Sequence, residues 1–172
     1  EDGIVNEAGF FGSSTDNSKV HIHEAGHYFG LYHTFEGACT NNDCLADGDH
    51  VCDTPPDNST ATVPCNSTTN TCTTDADDIS VNNPFRPVAQ GGLGDQPDMI
   101  INHMDYGLIG CHTLFTPVQR DRMIASLNNA RASLLASHGC WSLCTNPVTA
   151  VFNTPPGNVT AGTALTFQNF ST

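Results

Sequence analysis

The chain has 172 residues, enough for one domain with a buried core. Its formal net charge is −13 with five Lys and Arg in all, so it lacks the basic footprint that phosphate backbones need and nucleic acid is excluded as a partner. No run of 18 apolar residues is present, so no segment reads as a membrane span, and eight cysteines beside few lysines point to an oxidising compartment.

No signal peptide opens the sequence, and the first chemical motif begins after 22 residues. Residues 18 to 30 are expected to form a helix, with Val20 and Ile22 supplying apolar contacts. Residues 23 to 33 read His-Glu-Ala-Gly-His-Tyr-Phe-Gly-Leu-Tyr-His. His23 and His27 are four apart, so a helix points both imidazoles the same way, one turn above the other. Gly30 tolerates positive φ, so the helix can stop there and the chain can bring His33 round as a third ligand. Three neutral imidazoles leave one tetrahedral zinc position open for water. Zinc lowers the pKa of that water, and Glu24, beside the first ligand, is placed as general base. The competing reading is a helix with surface histidines; five residue types fixed at set spacings argue against it. His21, two residues before His23, faces another side of the helix.

Residues 37 to 102 have few periodic apolar runs and many Asn, Thr, Asp, Pro and Gly, which predicts loops. Asp47, Asp49 and Asp53 cluster in a glycine-containing stretch and offer hard oxygen ligands for calcium. The Val51 carbonyl and the Thr54 oxygens would complete such a site. It is not an EF-hand, because no Glu closes a 12-residue loop, and a solvated acidic loop competes with it. Asp75-Ala-Asp-Asp reads as a solvated run. The cysteines stand at 39, 44, 52, 65, 72, 111, 140 and 144. A cysteine-held second zinc is the rival to disulfides, but no paired C-x-x-C motifs support it, and spacing alone does not fix a pairing.

Residues 102 to 107 read Asn-His-Met-Asp-Tyr-Gly. Taken alone, Met104 is a core methionine. A second helix follows: Thr116 suits the N-cap, Pro117 the first helical position, and Gln119 completes a capping box. Val118, Met123, Ile124, Leu127, Ala130, Leu134 and Leu135 recur at helical spacing, and Gly139 is a natural stop. This helix is expected to pack without a catalytic role. From Asn146 to Thr172 the composition turns to Val, Thr, Phe, Pro and Gly; 148–152 and 164–170 read as two strands, with a flexible linker as the alternative. His50, His103, His112 and His138 are read as surface or satisfied residues, with His103 singled out because it precedes Met104.

Together, the extended zinc motif and Met104-Asp105-Tyr106 resemble the metzincin metalloproteases. Three further stretches are similar to the pappalysin family within them: His33 to Cys39, Asp47 to Pro56, and Cys111 with Phe115 to Met123. The resemblance runs from about residue 20 to about residue 136. It implies an α+β metzincin catalytic domain, mostly its lower subdomain, over residues 1–145 and truncated at its N-terminus. At most the last piece of the upper sheet would remain, around Ile4 to Phe11. The first strands of a PKD or immunoglobulin-like sandwich, or a linker, would follow over 146–172. It implies Met104 as the apolar floor of the zinc site, Tyr106 reaching toward the metal or the transition state, and bound calcium. It implies Cys39–Cys72 and Cys65–Cys111 disulfides, with Cys44–Cys52 and Cys140–Cys144 as local pairs.

The function so implied is a secreted zinc endopeptidase acting on protein or peptide substrates, with Glu24 moving the proton. A non-catalytic secreted binding or adhesion module is the alternative, and the intact Glu24 argues against it. A zinc hydrolase of another acyl substrate has no sequence feature in its favour. Family members that cleave beside Arg or Lys carry acidic residues after the Met-turn tyrosine. Here Gly107-Leu-Ile-Gly stands there, so the pocket for the residue after the cleaved bond is expected to prefer an uncharged or apolar side chain. Asn58, Asn66, Asn158 and Asn169 open glycosylation sequons; the resemblance leans bacterial, so they read as ordinary loop content.

Overall fold

The computed structural model describes residues 3–11, 14–59 and 61–137. The chain divides into two units, Glu1–Leu135 and Ala136–Thr172. Nearly all of the second lies outside the described residues. So do His138, the helix stop at Gly139, the Cys140–Cys144 pair and the strands expected after 146.

Helix α1 (Ser18–Tyr28) ends two residues short of the sequence expectation. The reason is the turn at its C-terminus. Gly30 takes φ +88°; its N–H donates to the His27 carbonyl at 2.9 Å and that of Leu31 to the Gly26 carbonyl at 3.0 Å. This crossed pair of bonds is a Schellman motif, which needs the left-handed residue that glycine supplies at least cost. The chain leaves the helix sharply, and Leu31 is buried directly after the turn.

Helix α2 (Pro117–Asn128) starts as predicted. Thr116 Oγ1 accepts from the Gln119 N–H, and Gln119 Oε1 accepts from the Thr116 N–H. Asp53 adds to this end: its carboxylate accepts from Thr116 Oγ1 at 2.6 Å and from the Val118 N–H at 3.0 Å. An acidic group there also meets the positive end of the helix dipole. The predicted continuation to Leu135 is not made. The Asn128 and Asn129 amides donate to the Ile124 and Ala125 carbonyls, and Asn129 turns to φ −117°, ψ −83°. Asparagine competes in this way with the backbone ladder and is a poor helix former. A 3-10 stretch, Ala132–Ala136, follows instead.

Among the described residues there is no strand, only an isolated parallel bridge between Asn102 and Leu114. The strand expected around residues 4–11 is absent. Ala8–Phe10 closes a 3-10 turn, and an extended segment without a partner makes no ladder. Between the helices, the loops are stapled by Cys39–Cys72, Cys44–Cys52 and Cys65–Cys111, with sequence separations of 33, 8 and 46. The apolar core is small: Leu31, Val51, Phe85, Ile100 and Met104 with Cys72 and Cys111. Buried amides take the place of a sheet. Asn83 donates to the Asp75 and Asp78 carbonyls and accepts from the Phe85 N–H, while Asn41 donates to Asp75 O and Asn83 Oδ1. No helix among the described residues is long and apolar enough to cross a membrane.

Candidate metal centre

Helix α1 and its turn bring His23, His27 and His33 together. His27 Nε2 lies 3.1 Å from His23 Nε2 and 3.0 Å from His33 Nε2, and the three nitrogens fall within 4.8 Å of one another. The other ring nitrogen of two of them is spoken for. His23 Nδ1 donates to the His103 carbonyl at 2.6 Å, and His27 Nδ1 to the Leu31 carbonyl at 2.9 Å. A proton fixed on Nδ1 leaves the Nε2 lone pair free, so the tautomer is set for metal ligation. Burial lowers the His23 pKa and brings that of His33 down to about 4, with neighbouring His27 adding to both shifts. At neutral pH His23 and His33 are therefore uncharged, each with one bare ring nitrogen, and the donor set suits zinc.

Against α1 sits the turn that carries Met104. Met104 is fully buried, and a methyl group placed on Gly26 would run into its Sδ, with Phe115 3.3 Å away. Glycine at this point of α1 is therefore what lets the methionine pack against the helix between His23 and His27. The Thr34 N–H donates to the Met104 carbonyl at 3.2 Å, tying the chain just past His33 to the same turn. Asn102 Oδ1 accepts from the Met104 N–H, and the Asn102 and Gln119 amides pair with each other. The capping box of α2 and the Met-turn are thus one network.

Tyr106 is half exposed. Its ring lies 4.7 Å from that of His33 and 5.7 Å from that of His23, and Phe35 stacks on His33 at 4.6 Å and lies 4.8 Å from Tyr106. Beside them opens a cavity of about 410 Å³ lined by Glu24, His23, Tyr106, Phe10, Val20 and Ile109, with Gly107, Asp105, His112 and Ala61 completing it. Asp105 is fully buried, and its Oδ1 accepts from the Tyr106 N–H. Lys19 donates to the Gly110 carbonyl at 2.8 Å and so holds the wall after Tyr106 against α1.

The residues read as calcium ligands separate into two groups. Asp49, Val51 and Thr54 come together: the Asp49 carboxylate accepts from the Val51 N–H and the Thr54 hydroxyl, which also reaches the Val51 carbonyl. With Asp47 they line a cavity of about 20 Å³. Asp53 is drawn away, because both its oxygens cap α2. Burial pushes the Asp49 carboxyl up to about 7.

Two sequence readings are corrected. Asp75 is fully buried rather than solvated, with Oδ1 unpartnered, and burial raises its pKa to about 7. His103 and His112 are also buried, each with one ring nitrogen lacking a hydrogen-bond partner, and burial lowers both to about 4. Sequence reasoning singled out His103 because it precedes Met104; in the structure it is its backbone carbonyl that meets the His23 ring. A carbonyl leaves no mark on residue type. The Leu31 carbonyl was missed for the same reason.

A family model described as "Pregnancy-associated plasma protein-A", peptidase family M43, matches residues 5–128. An extracellular metalloprotease of Colletotrichum graminicola is 36% identical over 125 residues, covering 70% of this chain and 35% of its own. One from Sordaria macrospora is 39% identical over 111 residues, covering 64% and 30%. A third, from Neurospora crassa, is 39% identical over 124 residues, covering 71% and 35%. The chain thus spans about a third of the length of the curated relatives it matches. These relatives are fungal, which removes the ground on which the sequons were set aside; Asn58 and Asn66 are both exposed.

Proposed function

The chain belongs to peptidase family M43, the pappalysins, and on that basis we propose that it forms the metal-holding part of a secreted zinc endopeptidase. The carrying observation is the convergence of three Nε2 atoms, two of them on imidazoles whose Nδ1 protons are anchored to carbonyls. His23, His27 and His33 hold the ion. Bound there, zinc supplies Lewis acidity to a water and to the scissile carbonyl. Glu24 takes the proton of the attacking water and returns it to the departing amide nitrogen. Tyr106, half exposed beside His33, faces the reacting carbonyl and donates a hydrogen bond as charge develops. Secretion follows from the extracellular relatives and the disulfide staples.

The cavity beside Glu24 receives the side chain after the cleaved bond. Phe10, Val20 and Ile109 line it and favour an uncharged or apolar group; a cleavage profile dominated by Arg or Lys there refutes this preference. Calcium is proposed for the space between Asp47 and Asp49. Its volume of about 20 Å³ exceeds the ~10–15 Å³ that one water-sized occupant requires, and the Thr34 hydroxyl, buried without a partner, lines it. A thermal midpoint unmoved by excess EGTA removes that part of the reading. The division into a catalytic domain over 1–145 and a following segment belongs to the same proposal.

The decisive experiment offers a mixed peptide library to the whole protein and to a Glu24→Gln variant. Cleavage by the parent, and its loss by a factor on the order of 10²–10⁴ in a variant that keeps its zinc, supports the mechanism. Zinc bound by both with no cleavage by either favours a binding module instead.

A further inference from the structure

Helix α2 was expected to pack without any part in the chemistry, yet it reaches the ligands through the end of α1. The last carbonyls of any α-helix have no partner within it. In α1, the Schellman pair satisfies Gly26 and His27. Two arginines take further carbonyls. Arg131 Nε donates to the Tyr28 carbonyl at 3.1 Å, with its guanidinium over the Tyr28 ring at 4.0 Å. Arg122 Nε donates to the Gly30 carbonyl at 2.7 Å, with its guanidinium 5.3 Å from the centre of the Tyr32 ring. A cation at a helix C-terminus also opposes the negative end of the dipole. Each arginine thus grips one carbonyl and one aromatic ring of the segment from 28 to 32. A guanidinium is suited to this, being planar, permanently charged and able to stack while it donates.

What that segment carries gives the contacts their meaning. Leu31 supplies the carbonyl that fixes the Nδ1 proton of His27, and His33 follows two residues later. The same five residues therefore orient one ligand and deliver another. Ser126 of α2 closes the third side, 3.6 Å from where a side chain at Gly30 would begin.

We propose that Arg122 and Arg131 are positioning residues for the metal centre: together they clamp the turn from Tyr28 to Tyr32, and through it set the Nδ1 bond of His27 and the placement of His33. They touch neither substrate nor metal. The inference rests on the three-histidine reading of the site, and its test separates the two.

The whole protein is used as parent, Arg122→Met, Arg131→Met, the double variant and Arg122→Lys. Arg120→Met is the control, since Arg120 is exposed on α2 and pairs with the neighbouring Asp121. Zinc affinity is measured by chelator competition, and the visible spectrum of the cobalt-substituted protein reports ligand geometry. Both are read well below each variant's unfolding temperature, so a loss of global stability does not enter. Loss of support behind a ligand typically weakens a metal site by about 10–100-fold. We expect about 10-fold weaker zinc binding in each methionine variant, more in the double, an altered cobalt spectrum, partial recovery in Arg122→Lys, and no change in the control. If the methionine variants bind zinc as tightly as the parent with an unaltered cobalt spectrum, the clamp is overturned while the metal reading stands. A parent that binds no zinc overturns both.

Discussion

Around the three histidines, the polar groups that orient the rings have partners: His23 on the His103 carbonyl, His27 on the Leu31 carbonyl, and the Met104 turn on the Asn102–Gln119 network. The loops from 34 to 98 differ. There Thr34 Oγ1, Asp57 Oδ2, Asp75 Oδ1 and Asp78 Oδ2 are buried with no hydrogen-bond partner, and disulfides do the holding. Behind the pocket, His103 and His112 each keep one bare ring nitrogen. The region that aims chemistry is thus built from directional bonds, which set angles. The region that supports it adds covalent staples, which set proximity, to the amide bonds of Asn41 and Asn83, and leaves hard oxygens facing inward. A carboxylate in that position needs a proton or a cation.

The two regions also respond to pH with opposite sign. Burial raises Asp49, Asp57 and Asp75 from 3.8 to about 7, so the folded state holds their protons. The stability linked to them is complete below pH 3.8 and is lost as pH rises through 7. Burial lowers His33, His103 and His112 from 6.5 to about 4, so their share is present above pH 6.5 and is lost as pH falls through 4. The sharpest test is Asp57→Asn in excess EGTA, where the largest effect is expected. Measured by denaturant unfolding, the variant should match the parent near pH 4 and exceed it at pH 8, by up to about 4 kcal/mol at ~1.4 kcal/mol per pKa unit. Equal stability at both pH values would mean that Asp57 ionises freely in the fold.

Next in size is the staple. Removing Cys39–Cys72 as a pair of alanines should cost about 2–4 kcal/mol of unfolding free energy, with zinc still bound at one equivalent. Loss of zinc from the folded variant would break the comparison, because the loops would then be aiming the ligands as well. Gly26→Ala should do the reverse. Overpacking against Met104 costs about 1–3 kcal/mol, and zinc affinity should fall with it, as chelator competition would register. The smallest change expected is Asp53→Ala, about 1–2 kcal/mol from the lost bonds at the start of α2. Its calcium response should equal the parent's; a lost response would return Asp53 to the cation site.

Much of this was legible from residue types. The spacing of His23, His27 and His33 needs only a helix and a glycine turn, and the capping box at Thr116 needs only its own four residues. The end of α2 was misjudged because the apolar spacing runs on through Ala130 to Leu135, while the side-chain amides of Asn128 and Asn129 stop the helix. The run from Asp75 to Asp78 read as solvated because burial is decided by what folds over a segment. Here that is Asn41 and Asn83, 34 and 8 residues from Asp75.

The sequence by itself pointed to three imidazoles gathered by a helix and its turn, with Glu24 beside the first, because those follow from helical geometry and the chemistry of named residue types. Only the tertiary structure decided what surrounds them: the carbonyls of His103 and Leu31 on the Nδ1 protons, Arg122 of α2 and Arg131 beyond it on the turn after α1, and the cap formed by Asp53. Every residue has a carbonyl, and no residue type announces which one a distant side chain will find. That choice is made by packing, and packing is a property of the folded chain.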